Sequence, residues 1–266
     1  MVYDAIGAAP RAWAGHTASA IRAVGEEDGS VVVLPIASLE QHGPHLPTAT
    51  DTILATAVAH HGAATADEVP ALVLPPVWSG YSPHHTPFGG TVTVGFDTML
   101  SLIRDIVTSA VDNGFEAALV LNGHGGNAPL VGAAVSTLGP ALPAVDVLGL
   151  TYWDLATAAF NEDIRTTDLG GAAHAGEFET SLMLHLRPDL VGEARPVEPR
   201  EPVYADQGRD MHDAGPLSTY REWDAVSESG IVGDASAASA ETGAALLDVL
   251  ENALADLLRE IHAEHR

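Results

Sequence analysis

Four short clusters of carboxylates, imidazoles and glycines hold the residues of this chain that could do chemistry. The first is Glu40-Gln41-His42-Gly43-Pro44-His45, with Asp51 eleven residues beyond Glu40. The second is Ser82-Pro83-His84-His85, and the third is Asn122-Gly123-His124-Gly125-Gly126-Asn127. The fourth is His174-Ala175-Gly176-Glu177-Phe178-Glu179-Thr180-Ser181. Carboxylate and imidazole without thiolate suit a hard to borderline divalent ion such as Zn²⁺, Mn²⁺ or Fe²⁺, and the chain has no cysteine. Glu40, His42 and Asp51 offer three such ligands from one loop, and two neighbouring ions usually share a bridging carboxylate. An ion of this kind lowers the pKa of a bound water and polarises a carbonyl for hydrolysis. His174 could then carry a proton between the water and a leaving nitrogen.

Each cluster also has a plainer reading. Among 13 histidines, His60, His61, His212, His262 and His265 read as solvated or structural. Gly123-His124-Gly125-Gly126 could be a tight strand-to-helix turn or a phosphate cradle, although the P-loop spacing is missing and the chain has no lysine. Glu177 and Glu179 could be acids favoured in the first turn of a helix. What argues for a site is the conjunction of four such clusters, three of them directly after predicted strands.

The elements that must position them follow from hydrophobic periodicity. Short apolar runs at Val31–Ile36, Ala71–Leu74, Ala117–Leu121 and Pro143–Leu150 read as strands. Between them the pattern predicts helices from about Asp51 to His60, from Phe96 with an acidic N-cap at Asp97 to a stop at Gly114, and after Asn127. Leu246, Leu247, Leu250, Leu254, Leu257, Leu258 and Ile261 mark one face of a long closing helix. Alternation of strands and helices implies βαβ crossovers and a mostly parallel sheet, in which ligands bind beyond the carboxyl ends of the strands. The irregular stretch from Arg195 to Gly233 reads as a linker or, more in keeping with a long loop, as a functional or interface segment. The whole chain, 1–266, is expected to be one α/β domain.

Composition narrows the function. With 36 acidic against 11 basic residues, all of them arginine, the formal charge of −25 repels nucleic acid and anionic membrane. No apolar run approaches the roughly 20 residues of a spanning helix. No basic flank leads into an apolar run at the start, so no secretory signal is expected and a cytoplasmic location is. The acidic surface leads to the further expectation of adaptation to a salty cytoplasm, where ionic strength screens self-repulsion.

The clusters, taken in order, resemble the creatininase (creatinine amidohydrolase) family. Glu40-Gln41-His42-Gly43-Pro44-His45-Leu46-Pro47 with Asp51, the Asn122–Asn127 loop and the His174–Ser181 segment carry the resemblance. Gly80-Tyr81-Ser82 with His85, Phe88-Gly89-Gly90-Thr91, and Gly230-Ile231-Val232-Gly233-Asp234 extend it. It implies a three-layer α/β/α fold, a homo-oligomer (hexameric in the family), and a site of two divalent ions, Zn, Mn or Fe, that hydrolyses amide-type C–N bonds. Carried over by position, Glu40 and His124 would bind one ion, His42 the other, and Asp51 would bridge them. His174 matches the proton-transferring histidine, and His85 and Glu177 are candidate substrate contacts.

The departures set the expected substrate. Creatininases resemble N-G-H-Y-E-N in the third cluster, where the glutamate binds the second ion; here the last two variable positions are Gly125 and Gly126. Glu179 is the candidate replacement and Glu177 its competitor; residues two apart on a helix point about 200° apart, so only one can face the metals. The Trp-Asp pair that precedes the family's catalytic histidine is replaced by Gly170-Gly171, and Trp153-Asp154 reads as structural. Both changes argue against creatinine. The expected function is hydrolysis of a small amide, formamide or cyclic amide. The alternatives are a peptidase that trims a mycofactocin-type precursor and a non-catalytic binding or assembly member of the family.

Overall fold

A computed structural model describes residues 9–266; part of the N-terminal stretch read for a secretory signal lies outside them. Its main sheet has four strands, all parallel: β1 (Val31–Ile36), β2 (Ala71–Val73), β3 (Ala117–Asn122) and β4 (Asp146–Thr151), in the order β2-β1-β3-β4. The register pairs Val31 with both Ala71 and Ala117, and Ala117 with Asp146. Side chains alternate across the pleat. Val31, Val33, Ala117, Leu119 and Leu121 face one core, while Val32, Leu34, Ile36, Ala118 and Val120 face the other.

Helices cover both faces and complete the expected three layers. On the first face lie α2 (Thr50–Thr65), α5 (Glu177–Leu186) and α6 (Ala240–Glu264), and on the second α1 (Ala18–Gly25), α3 (Phe96–Val111) and α4 (Ala128–Ala141). The closing helix α6 buries Leu246, Leu247, Leu250, Leu254, Leu258 and Ile261 against α2 and α5, and Ser239 caps it by accepting the Thr242 N–H at 3.0 Å. Asp97 stands in the first turn of α3 rather than at its cap, which is Gly95. No helix among the described residues is long and apolar enough to cross a membrane.

The chain runs from β1 outward to β2, then returns to the other side of β1 for β3. The strand order therefore reverses between β1 and β3, and the crevice beyond their carboxyl ends is where a ligand site is expected in an open parallel sheet. The stretch from Arg195 to Gly233 does not trail away from the domain. Strands β5 (Val197–Glu198) and β6 (Gly233–Asp234) pair antiparallel at its two ends, and the chain between them forms one wall of that crevice.

Candidate metal centre

The loops after β1 and β3 and the starts of α2 and α5 bring their polar side chains to one buried point. Three compact donor groups form there: Glu40, Asp51 and His124; His42, Asp51 and Glu179; and Glu40, His42 and His174. Asp51 belongs to the first two, with Oδ1 3.0 Å from His42 Nε2 and Oδ2 3.3 Å from His124 Nδ1. His124 Nδ1 also lies 3.0 Å from Glu40 Oε2, and Glu179 Oε1 lies 3.9 Å from His42 Nε2. All of these residues but His174 are at least 96% buried.

The imidazoles are turned so that a free nitrogen faces the cluster. His42 Nδ1–H donates to the Glu40 carbonyl at 3.1 Å, which leaves Nε2 as the bare nitrogen toward Asp51. His124 turns Nε2 to the Tyr81 carbonyl, 3.2 Å, and to Ser82 Oγ, 3.0 Å, which leaves Nδ1 toward Glu40 and Asp51. His174 Nε2–H donates to the Gln41 carbonyl at 2.8 Å, with Nδ1 3.7 Å from Glu40 Oε1. An outer N–H anchored on a carbonyl is the usual way a metal-binding histidine is held in the ligating tautomer.

Gln41, which the sequence did not single out, organises a second layer. Its Oε1 accepts the Gly43 N–H at 2.9 Å, so its NH₂ must be the group facing the Gly230 carbonyl at 2.7 Å and His85 Nδ1 at 2.8 Å. His85 therefore carries its proton on Nε2 and points it at Glu40 Oε1, 3.2 Å away. This spends one Glu40 oxygen on orientation and leaves the other for the cluster.

Whether these residues fit a pair of ions can be tested on the polar atoms they leave unsatisfied. Glu40 Oε2, His42 Nε2 and Asp51 Oδ2 are buried without any hydrogen-bond partner, and orphans of this kind are rare in folded proteins. They face one another in a seat with three carboxylates and no arginine among the donors, so divalent cations satisfy both the charge and the lone pairs. Without an ion the imidazoles hold protons instead: against the effect of burial, Glu40 and Asp51 raise His124 to about 10, and Asp51 and Glu179 raise His42 well above its ordinary value. Burial opposes charge on Glu40 too, yet His124 and His85 hold it well below the usual carboxylate range. His174 is shifted well below 6.5, chiefly by burial and then by His42.

The structure separates the two candidate glutamates of α5. Glu177 turns away: its oxygens accept the backbone N–H and hydroxyl of both Thr166 and Thr167 at 2.6–3.0 Å, so this fully buried carboxylate fastens a loop and reaches no substrate. This corrects the expectation of a substrate contact there. Glu179 turns inward, and its Oε2 accepts the Ala175 N–H at 2.6 Å. In the third cluster, a Cβ on Gly126 would lie 2.4 Å from both His124 Nε2 and the Tyr81 carbonyl, so this loop has no room for a side chain there. Gly125 opens into free space.

Above the cluster is a cavity of about 950 Å³, with Glu40, Asp51, His124, His174 and Glu179 on its floor. His85 and His84 line it as well. Trp153 and Asp154, read from sequence as structural, also line it. The far wall comes from the irregular segment: Trp223 packs on His85 and His174 with ring centroids 4.6 and 5.3 Å apart, and its Nε1–H donates to the Gly230 carbonyl at 2.9 Å. The histidines set aside as structural stay outside: His61 pairs with Glu251, His265 with Asp146, His262 bonds the Gly29 carbonyl, and His212 packs between Phe160 and Phe178.

Residues 14–258 match the family model Creatininase, described as creatinine amidohydrolase. The chain belongs to the creatininase family. It is 34% identical over 233 residues to the mycofactocin precursor peptide peptidase of Mycolicibacterium smegmatis, covering 86% of this chain and 84% of that one. It is 30% identical over 246 residues to the creatinine amidohydrolase of Pseudomonas putida, covering 86% and 89%. The fold superposes on a solved manganese creatininase with a TM-score of 0.79 at 28% identity, covering 92% of this chain and 96% of the other.

Proposed function

We propose that this chain is a metal-dependent hydrolase that cleaves the C–N bond of a small amide, formamide or cyclic amide other than creatinine. The observation that carries the reading is the set of orphaned, mutually facing atoms Glu40 Oε2, His42 Nε2 and Asp51 Oδ2 at the floor of an open cavity. Glu40, Asp51 and His124 would hold one divalent ion; His42, Asp51 and Glu179 would hold the other, with Asp51 shared. Ions held there would supply an activated water and a Lewis acid for the carbonyl oxygen. The chain supplies the proton path. His174 Nδ1, the nitrogen left free by the Gln41 carbonyl, takes a proton as water adds to the amide carbon and returns it to the nitrogen as the C–N bond breaks. Trp223 and His85 keep bulk water from that face.

A second reading, a peptidase acting on a short precursor peptide, is favoured by the cavity of about 950 Å³, at the upper end of the range for small-ligand sites. The relative in Mycolicibacterium smegmatis supports the same reading. Matched screens of formamides, cyclic amides and short peptides with metal-loaded protein separate the two. Turnover of at least one class, lost in His174→Ala, is the expected result. No turnover of any class by protein holding both ions would refute the hydrolase and favour a binding member of the family.

A further inference from the structure

Of the charged groups in the cavity that have no part in this chemistry, one is a cation drawn in from solvent. Arg200 lines the wall and is partly buried, and among the described residues it is the only such arginine whose guanidinium has no hydrogen-bond or ion-pair partner. The other arginines drawn in from solvent are all engaged: Arg165 on Asp210, Arg259 on Glu68 and Asp256, Arg11 and Arg195 on backbone carbonyls. Asp210, whose charge reaches Arg200, is already engaged elsewhere on both oxygens. Its Oδ2 accepts from Arg165 and from the Gly170 N–H at 2.8 Å, and its Oδ1 accepts the His212 N–H at 3.0 Å.

The position of Arg200 is built rather than incidental. Its N–H donates to the Gly170 carbonyl at 3.1 Å, and its own carbonyl lies 2.9 Å from where a Cβ of Gly170 would fall. Gly170 adopts a φ of +103°, and it stands four residues before His174. A glycine here is what lets the Arg200 backbone close against the loop that carries the proton-transferring histidine. A partly desolvated cation with no partner is costly to keep for folding alone. In a chain with 36 acidic and 11 basic residues, it is also the group an anionic substrate would need to enter a repulsive field.

We infer that Arg200 is an anion subsite that receives a carboxylate of the substrate while the amide lies over Glu40, Asp51 and His124. This rests on the hydrolase reading above and narrows it to amides that carry an acid group, either a small acid amide or a peptide with a free carboxyl end. The planar guanidinium fork matches a carboxylate in two parallel hydrogen bonds. Arg221, exposed on the same wall and unpaired among the described residues, adds to the field at the mouth. A neutral amide leaves Arg200 unpaired in the complex, and that penalty is the source of selectivity.

The test is calorimetric binding to metal-loaded protein. The ligands are N-acetylglycine against its neutral counterpart N-acetylglycinamide, and a short peptide with a free carboxyl end against the same peptide amidated. At least one acid is expected to bind about tenfold or more tightly than its amide, with the preference shrinking as salt is added. Preference in the first pair identifies a small acid amide, and preference confined to the second identifies a chain end. In Arg200→Gln the preference should fall to within about twofold, with metal content unchanged and partial recovery in Arg200→Lys. Equal binding of acid and amide by the wild type in both pairs overturns the inference without any variant. So does a preference that survives in Arg200→Gln, which would place the carboxylate on the ions. Because binding is the readout, a protein that prefers acids through Arg200 yet hydrolyses none would sink the hydrolase reading and leave the subsite standing.

Discussion

Gln41→Leu probes the layer beneath the candidate metal ligands. The substitution keeps the volume of a side chain that is 7% exposed and deletes its hydrogen bonds to Gly43 N–H, the Gly230 carbonyl and His85 Nδ1, together with a contact of Nε2 at 3.2 Å to His174 Nε2. The Gly230 carbonyl keeps a donor in Trp223 Nε1–H. The Gly43 N–H and His85 Nδ1 do not, and each unmet buried group costs about 1–3 kcal/mol. The expected loss is therefore about 2–6 kcal/mol, which for a chain of this size lowers the melting temperature by roughly 5–25 °C. Wild type and variant are compared by calorimetry at one zinc concentration, since bound metal itself shifts the transition. Long-range proton–nitrogen correlation spectra of the zinc form should show His85 protonated at Nε2 in the wild type and an altered tautomer balance in the variant. Gln41→Glu should be the worse of the two, because it sets a second carboxylate beside Glu40 and against the Gly230 carbonyl. A drop below about 2 °C in Gln41→Leu, with the His85 signals unmoved, would refute the orienting role.

Two further outcomes follow from the same packing. Gly126→Ala should destabilise by about 1–3 kcal/mol and weaken metal retention, because the new methyl meets His124 Nε2 and the Tyr81 carbonyl, whereas Gly125→Ala, with nothing within 4 Å, should do neither; equal behaviour of the two in thermal unfolding contradicts the geometry. Burial holds the His212 imidazole down at about 4 from an ordinary 6.5, so its contribution is fully present above about pH 6.5 and is lost as pH falls through about 4, a change of about 3 kcal/mol. Urea unfolding at pH 7 and pH 4.5 should show that acid-linked loss shrinking in His212→Phe, and an unchanged loss would locate the titration elsewhere.

The parts of this molecule that were legible in its sequence are those set by local pattern. The continuous apolar run of Val31 to Ile36 marked a strand, and the polar clusters in the loops after the strands marked the site, because chain direction alone puts them at one edge of a parallel sheet. Glu177 and Glu179 could be told to face opposite ways but not which way, since that depends on the Thr166-Thr167 loop that claims Glu177. Gln41 escaped notice because its partners, Gly230 and His85, lie 189 and 44 residues away. Arg200 and Trp223 sit in a stretch without periodicity, where nothing local indicates that the chain folds back over the floor of the cavity. Trp153-Asp154 shows the converse: the pair ends a strand, as its pattern suggested, yet it also lines the cavity.

The central proposal for this chain is two metal seats that share Asp51 and leave His174 free for proton transfer. Elemental analysis of protein purified without chelator, alongside Asp51→Asn and His174→Ala, tests this directly. We expect close to two divalent ions per chain in the wild type, loss of both in Asp51→Asn, and both retained in His174→Ala. One ion per chain in the wild type, or loss of metal in His174→Ala, would contradict it: the first would leave one donor group without an ion, and the second would make His174 a ligand rather than the carrier of the proton.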